Sequence, residues 1–271
     1  MIELLLDGKP IVEPTQKRQR ISMLLWGSSG SGKTTLAATA PGKKLWINFD
    51  PDGTESLLGR SDVLVLDLSN EKNSVVEKFR EENPMRIEKL LTDNPEIETV
   101  VFDSLTTFGE KALHHGVKLA QSTNKGRSAT LEDPGYSGFG NKNTWTRLVV
   151  NNLLQSTGRL GRHCIFIAHE DKPTTNDQGV VLFISIMLGS SLNEQVPIKI
   201  SEVWHLSDNG KKHMISIRPC YNRKPMRTRM FKTTQGPQFE WHFDVDKWEG
   251  DTIAKWYEQW TATGGKIDVP K

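Results

Sequence analysis

The stretch Gly27-Ser28-Ser29-Gly30-Ser31-Gly32-Lys33-Thr34 constrains this chain more than any other, because it fits the G-x-x-x-x-G-K-[ST] pattern of a phosphate-binding loop. Its glycines let the backbone wrap closely, so that successive N–H groups point inward at phosphate oxygens. Lys33 supplies a point charge for the β- and γ-phosphates, and the Thr34 hydroxyl is placed to ligate Mg²⁺. The flanks agree with that reading. Residues Ile21 to Trp26 read as a buried strand, and Thr35 to Ala40 as a short helix stopped by Pro41-Gly42. A helix N-terminus behind the loop favours an anion further. Gly27 to Thr34, with Thr35, form the expected nucleotide-binding set.

Composition sets wider bounds. A chain of 271 residues, 36% apolar and 25% charged, suits a globular protein: one large domain or a core with a small appendage. A net charge of +2 neither demands nor excludes nucleic acid, so local patches decide. Cys164 and Cys220 lack metal-type spacing and point to a reducing compartment. The apolar start Met1 to Leu6 is short, interrupted by Glu3 and ended by Asp7, unlike a signal peptide. No later run reaches membrane-spanning length, and the expected location is the cytoplasm.

Along the chain, residues 1–20 read as an N-terminal extension, 21–236 as the nucleotide-binding core and 237–271 as a C-terminal segment. The cluster Lys17-Arg18-Gln19-Arg20 reads as a solvated segment or as a contact to nucleic acid or a neighbouring subunit. Lys44 to Phe49 is a strand by its apolar, aromatic run, and Asp50-Pro51-Asp52-Gly53 is the turn that follows. In open α/β sheets ligands sit outside the carboxyl ends of the strands, which places Asp52 and Asp50 near the nucleotide. Such a carboxylate can orient an attacking water, with Asp52 preferred over Asp50; plain turn formation is the other reading. Asp62 to Leu68 is a further strand, Asn70 to Asn83 a helix or loop, and Met85 to Leu91 an imperfect helix. Glu98 to Ser104 is an apolar strand ending in Asp103, whose carboxylate suits Mg²⁺ together with Thr34. Ser104 can cap the helix Leu105 to Leu119.

Residues Gln121 to Asn143 lack periodicity. Lys125, Arg127 and Lys142 flank Tyr136 and Phe139, a mixture that suits stacking and phosphate contacts with single strands; a surface loop is the alternative. Thr144 to Gln155 reads as a helix. His163 to Ala168 is a central strand with His169 at its tip, placed to sense a γ-phosphate or to satisfy a buried polar position. Lys172 to Pro197 is loop-like. Glu202 to Leu206, the turn Asp208-Asn209-Gly210 and Met214 to Ile217 form a hairpin. Arg227 and Arg229, in the basic run Asn222 to Lys232, alternate on one face of an extended strand. They read as a solvated edge or as groups that complete a neighbour's site. Ile253, Trp256, Tyr257 and Trp260 form one helical stripe that packs on the core, or else faces a partner.

Gly27 to Thr34, Asp50 to Gly53, Val100 to Ser104, Ile165 to Glu170, Glu202-Val203-Trp204 and Arg227-Thr228-Arg229 together resemble the phage nucleotide-binding proteins with a RecA-like core. Some of these are single-strand annealing recombinases. The resemblance covers roughly Ile21 to Phe231. It implies an α/β fold of RecA-like P-loop type, with a mainly parallel central sheet flanked by helices and an antiparallel hairpin at the C-terminal edge. It also implies ATP with Mg²⁺, single-stranded DNA as partner, rings or filaments of identical subunits, and a single-strand-binding protein as a further partner. Where relatives carry Glu after the second strand, Asp52 stands here, one methylene shorter. The residues alone support a Mg-dependent P-loop NTPase, in which Lys33, Asp52, Asp50, His169, Arg227 and Arg229 are the catalytic candidates. Two rivals share the phosphate loop: a small-molecule or nucleotide kinase, and an assembly module that binds ATP with little hydrolysis.

Overall fold

The computed structural model describes residues 5–7, 9–10, 20–79, 84–124, 126–189 and 191–270. Lys125, and Lys17 to Gln19 of the basic cluster, lie outside them. The central sheet holds β1 (Ser22–Gly27), β2 (Lys43–Asn48), β3 (Val63–Asp67), β4 (Ile97–Asp103), β5 (His163–His169), β6 (Glu202–Asp208), β7 (His213–Ser216) and β8 (Gln238–Trp241). Their spatial order is β8-β7-β6-β1-β5-β4-β2-β3. The six strands from β6 to β3 are parallel, and β7 and β8 add an antiparallel extension. The expected α/β, RecA-like architecture with a C-terminal antiparallel edge is therefore present. Every strand read from the apolar runs forms, to within a residue or two.

Strand alternation sends successive side chains to opposite faces. Leu24, Trp26, Ile47, Val100 and Phe166 face α2 (Pro84–Asp93), α3 (Leu105–Gln121), α4 (Gly135–Arg159) and α5 (Leu192–Ile198). Met23, Leu25, Trp46, Val101 and Ile165 face α1 (Lys33–Ala38) and α6 (Ile253–Thr263). The stripe on α6 belongs to the core: Ile253, Trp256 and Trp260 are buried, and Tyr257 packs beside them. Thr39 anchors that helix, its hydroxyl accepting from Ile253 N and its carbonyl from Ala254 N.

The segment 121–143 departs from its reading as a loop. Gly135 to Asn143 form the first turns of α4, so Tyr136, Phe139 and Lys142 sit on a helix. The glycines and asparagines that hide the helical pattern serve packing instead. A Cβ at Gly116 of α3 would lie 2.9 Å from Asn141 Cβ and 3.1 Å from Gly138 O, and Asn141 Nδ2 donates to Gly116 O at 3.4 Å. Close approach of two helices has overridden local propensity. Residues 172–197, read as a loop, contain most of α5 and a small hairpin of Thr174–Thr175 with Val181–Phe183. Residues 237–271 supply β8 to the main sheet as well as α6.

Candidate nucleotide site

The ends of β1, β2, β4 and β5 meet at one edge of the sheet. Gly27 is in register with His169, and Asn48 with Asp103. The phosphate loop crosses this edge beside a cavity of about 530 Å³, lined by Ser29, Gly30, Gly32, Lys33, Thr34, Thr35, Asp50, Asp52, Asp103, Thr107 and His169 among others. Two glycines are forced by their surroundings. A Cβ on Gly27 would stand 2.1 Å from Leu206 O of β6. Gly32 has φ +88°, and its Cβ would stand 2.9 Å from the Trp241 ring of β8. The loop is thus braced by the antiparallel extension.

Lys33 is buried, and its Nζ donates to Ser28 O at 2.6 Å and lies 3.5 Å from Ser31 Oγ. Burial lowers its pKa, against the pull of Asp103, Asp50 and Glu170. Thr34 Oγ1 donates to Asp103 Oδ2 at 3.4 Å, across the gap between loop and β4. Burial, reinforced by the nearby Asp50 charge, pushes the Asp103 carboxyl up to about 7. A hydroxyl and a carboxylate that face each other, with the carboxylate starved of water and of full compensation, fit a hard divalent cation. Thr34 and Asp103 are the residues that would hold Mg²⁺, which when bound supplies positive charge to the β- and γ-phosphate oxygens.

Asp50 and Asp52 have different surroundings. Asp50 Oδ2 lies 3.0 Å from His169 Nε2. Its Oδ1 accepts from Ser104 Oγ at 2.9 Å and from Thr107 Oγ1. Burial opposes its ionisation, but His169, Thr107 and Ser104 together outweigh burial and bring the pKa below the ordinary carboxylate value. Asp52 is exposed at the cavity rim, on a left-handed backbone with φ +55°. The half-buried, anchored place therefore belongs to Asp50. His169 is held twice, since its N–H donates to Thr106 Oγ1 at 2.9 Å.

The arginine readings need correction. Residues 227–229 are not an extended strand: Arg227 makes one backbone bridge to Val203, and the chain then turns as Thr228 Oγ1 accepts from Met230 N and Phe231 N. Arg227 Nη2 sits on the carbonyls at and just beyond the end of α5, donating to Pro197 O at 2.7 Å, Ile198 O at 2.8 Å and Ile200 O. It is a helix cap rather than a group free to reach a phosphate. Arg229 is exposed, near the start of β6 and at the sheet end opposite the cavity. Two other cations of the basic run are engaged within the chain: Arg223 Nε lies 3.5 Å from Glu170 Oε2, and Lys232 pairs with Asp268 at 3.0 Å.

Of the nucleic-acid candidates, Tyr136 and Phe139 are 96% and 49% exposed and neighbour each other three residues apart on α4, while Lys142 is turned toward α3, its Cε near Gly109. Lys142 is half-buried, which lowers its pKa. Arg127 is exposed on the preceding turn. Sequence reasoning passed over Thr106, Thr107 and Glu170; the hydroxyl-rich run Ser104-Leu105-Thr106-Thr107 just after a strand tip was the available signal.

The phosphate loop on a central strand, with β5 between it and the strand that ends in Asp103, defines a P-loop nucleotide-binding protein with a RecA-like sheet. The chain belongs to the AAA domain family, which matches residues 19–240. Its backbone is similar to the crystal structure of the RadB recombinase, at 12% identity over 84% of this chain and 89% of that one, with a TM-score of 0.46. It is also similar to a KaiC-like protein from Pyrococcus horikoshii OT3, at 13% identity over 85% and 88%, with a TM-score of 0.42. No curated protein matches the chain. Among the described residues, no helix is long and apolar enough to cross a membrane.

Proposed function

We propose that this chain is a Mg-dependent ATPase that acts on single-stranded DNA as an assembly of identical subunits. The observation that carries the ATPase reading is the pair of carboxylates at one cavity. Asp103 faces Thr34, and Asp50 is held apart from it by His169, Thr107 and Ser104. One carboxylate is placed for the metal and the other for water. Backbone N–H groups from Gly27 to Thr34, with Lys33, bind the triphosphate. Asp50 takes over the role first expected of Asp52: it orients a water whose oxygen bonds to the γ-phosphorus as the bond to the β–γ bridging oxygen breaks. ADP leaves with that electron pair, and the water proton passes to Asp50. His169 keeps Asp50 in place and lies within reach of the γ-phosphate end of the cavity.

The nucleic-acid part of the proposal rests on the exposed aromatic pair Tyr136 and Phe139 on α4, and on the resemblance to phage annealing proteins. That resemblance favours strand annealing or recombination as the setting, in the cytoplasm of a host cell. Phosphate release measured with and without single-stranded DNA tests the whole reading. Turnover that rises with DNA is expected, and a rate indifferent to DNA would remove the nucleic-acid part. Lys33→Ala should abolish tight ATP binding, because the phosphate charge loses its cation. Asp103→Asn should still bind ATP but lose Mg²⁺-dependent turnover. Full ATP affinity in the Lys33 variant would sink the loop assignment.

A further inference from the structure

The first turn of α3 ties the neighbouring strand tips to the cavity. Thr106 receives the His169 N–H, while Ser104 and Thr107 both donate to one oxygen of Asp50. Ser104 is otherwise engaged: it is buried and caps α3, accepting from Thr107 N at 3.2 Å. Thr107 is half-buried and lines the cavity beside Asp50. We infer that Thr107 is a positioning residue for ATP hydrolysis, its hydroxyl fixing the Asp50 carboxylate so that the other oxygen, Oδ2, faces the reacting water.

An ionised carboxylate is an acceptor with two oxygens that exchange places when the side chain rotates. Asp50 stands on a turn between β2 and Pro51, its backbone held by Asn48, which donates from Nδ2 to Asp50 O at 2.9 Å and accepts from Asp50 N at 3.3 Å, while its carboxylate finds its partners on α3 and β5. The two hydroxyls occupy Oδ1, and His169 Nε2 approaches Oδ2 from the tip of β5. Donors from α3 and from β5 thus hold the plane of the carboxylate from both ends. A group that orients a reacting water must keep its place closely, since a displacement of 1 Å can cost about 10²-fold in rate.

This inference rests on the assignment of Asp50 as the water-orienting group, so the experiment separates the two. Thr107→Val keeps the shape and removes the hydroxyl; Thr107→Ser keeps the hydroxyl. For each variant, kcat, KM, melting temperature and the affinities for ATP and for ADP–aluminium fluoride are measured beside Asp50→Asn. The expected result is a kcat lower by about 10²-fold in Thr107→Val. Its ATP affinity is unchanged, its affinity for ADP–aluminium fluoride is weakened in parallel, and Thr107→Ser recovers both. Thr107→Ala, with recovery in Thr107→Ser, gives the same comparison if valine disturbs the helix. A Thr107→Val enzyme with wild-type kcat and fluoride-complex affinity, beside an inactive Asp50→Asn, overturns the inference and leaves the Asp50 assignment standing. Full turnover in Asp50→Asn overturns the assignment itself. Loss in the valine variant that serine does not recover reduces Thr107 to a packing role.

Discussion

Glu202 sits in the protein interior, yet four donors converge on its carboxylate. Oε1 accepts from Arg229 N at 2.7 Å and Met230 N at 3.1 Å; Oε2 accepts from Trp204 Nε1 at 2.9 Å and Thr228 Oγ1 at 2.6 Å. Burial nevertheless dominates and pushes the carboxyl up to about 7, against those donors. A folded-state pKa above the ordinary 4.5 means that the native state holds the proton longer than the unfolded chain. Between about 4.5 and 7 the native state binds more protons, so this group's contribution to stability is full below the window and lost as pH rises through it. Glu202→Gln should therefore flatten the fall in urea midpoint between those pH values. It should also cost about 1–3 kcal/mol throughout, because the amide nitrogen must face donors. If the slope is the same in both proteins, other groups titrate in that window. The sequence marked Glu202 as the start of a hairpin strand and as part of a family motif, with no sign that its carboxylate is buried. Three of its donors come from residues 228–230, distant in the chain, so local pattern could not expose them. Asp50 and Asp52 teach the same lesson at shorter range. The turn was legible, but which carboxylate points inward depends on the left-handed backbone at Asp52.

At the scale of elements, the central strands β1, β2, β4 and β5 were legible because burial on both faces produces unbroken apolar runs. The phosphate loop was legible because its chemistry is contiguous. The start of α4 was not, because its small residues are chosen for the neighbour rather than for the helix. That makes Gly116 a sharp test. In an open helix Gly→Ala gains about 0.5–1 kcal/mol. Here the new methyl would stand 2.9 Å from Asn141 Cβ and 3.1 Å from Gly138 O, so overpacking at about 1–3 kcal/mol should win. Gly116→Ala should lower the urea midpoint. A raised midpoint would mean that α3 and α4 separate freely, and that the aromatic pair on α4 is not rigidly placed. The bracing of Gly32 by β8 was equally invisible, since Trp241 approaches the loop from the far end of the chain. Trp241→Ala should cost about 3–5 kcal/mol as a buried aromatic truncation and should weaken ATP binding as well. A destabilised variant that retains full ATP affinity would show that the loop keeps its shape unaided.

At the scale of the whole molecule, the two arginines differ in what they have left to offer a partner. Glu202 is in register with Met23 and Val203 with Leu24, near the start of β1, whereas the phosphate loop follows its end. Arg227 and the turn at Arg229 therefore lie at the sheet end opposite the cavity of their own chain. Arg227→Ala should lose the cap on α5 and some stability, with turnover kept once folded. Arg229, exposed and outside any cap, is the group that an assembly could bring to a neighbour's γ-phosphate, an effect worth about 10³-fold or more where such an arginine acts. Specific activity should then rise with protein concentration as subunits assemble. Arg229→Ala should bind ATP normally and turn it over slowly. Mixing it with Lys33→Ala should restore part of the rate, because an Arg229→Ala subunit keeps an intact phosphate loop while its Lys33→Ala neighbour still offers the arginine. A rate independent of concentration, with no recovery on mixing, would leave Arg229 a solvated surface residue and would confine catalysis to the residues of a single chain.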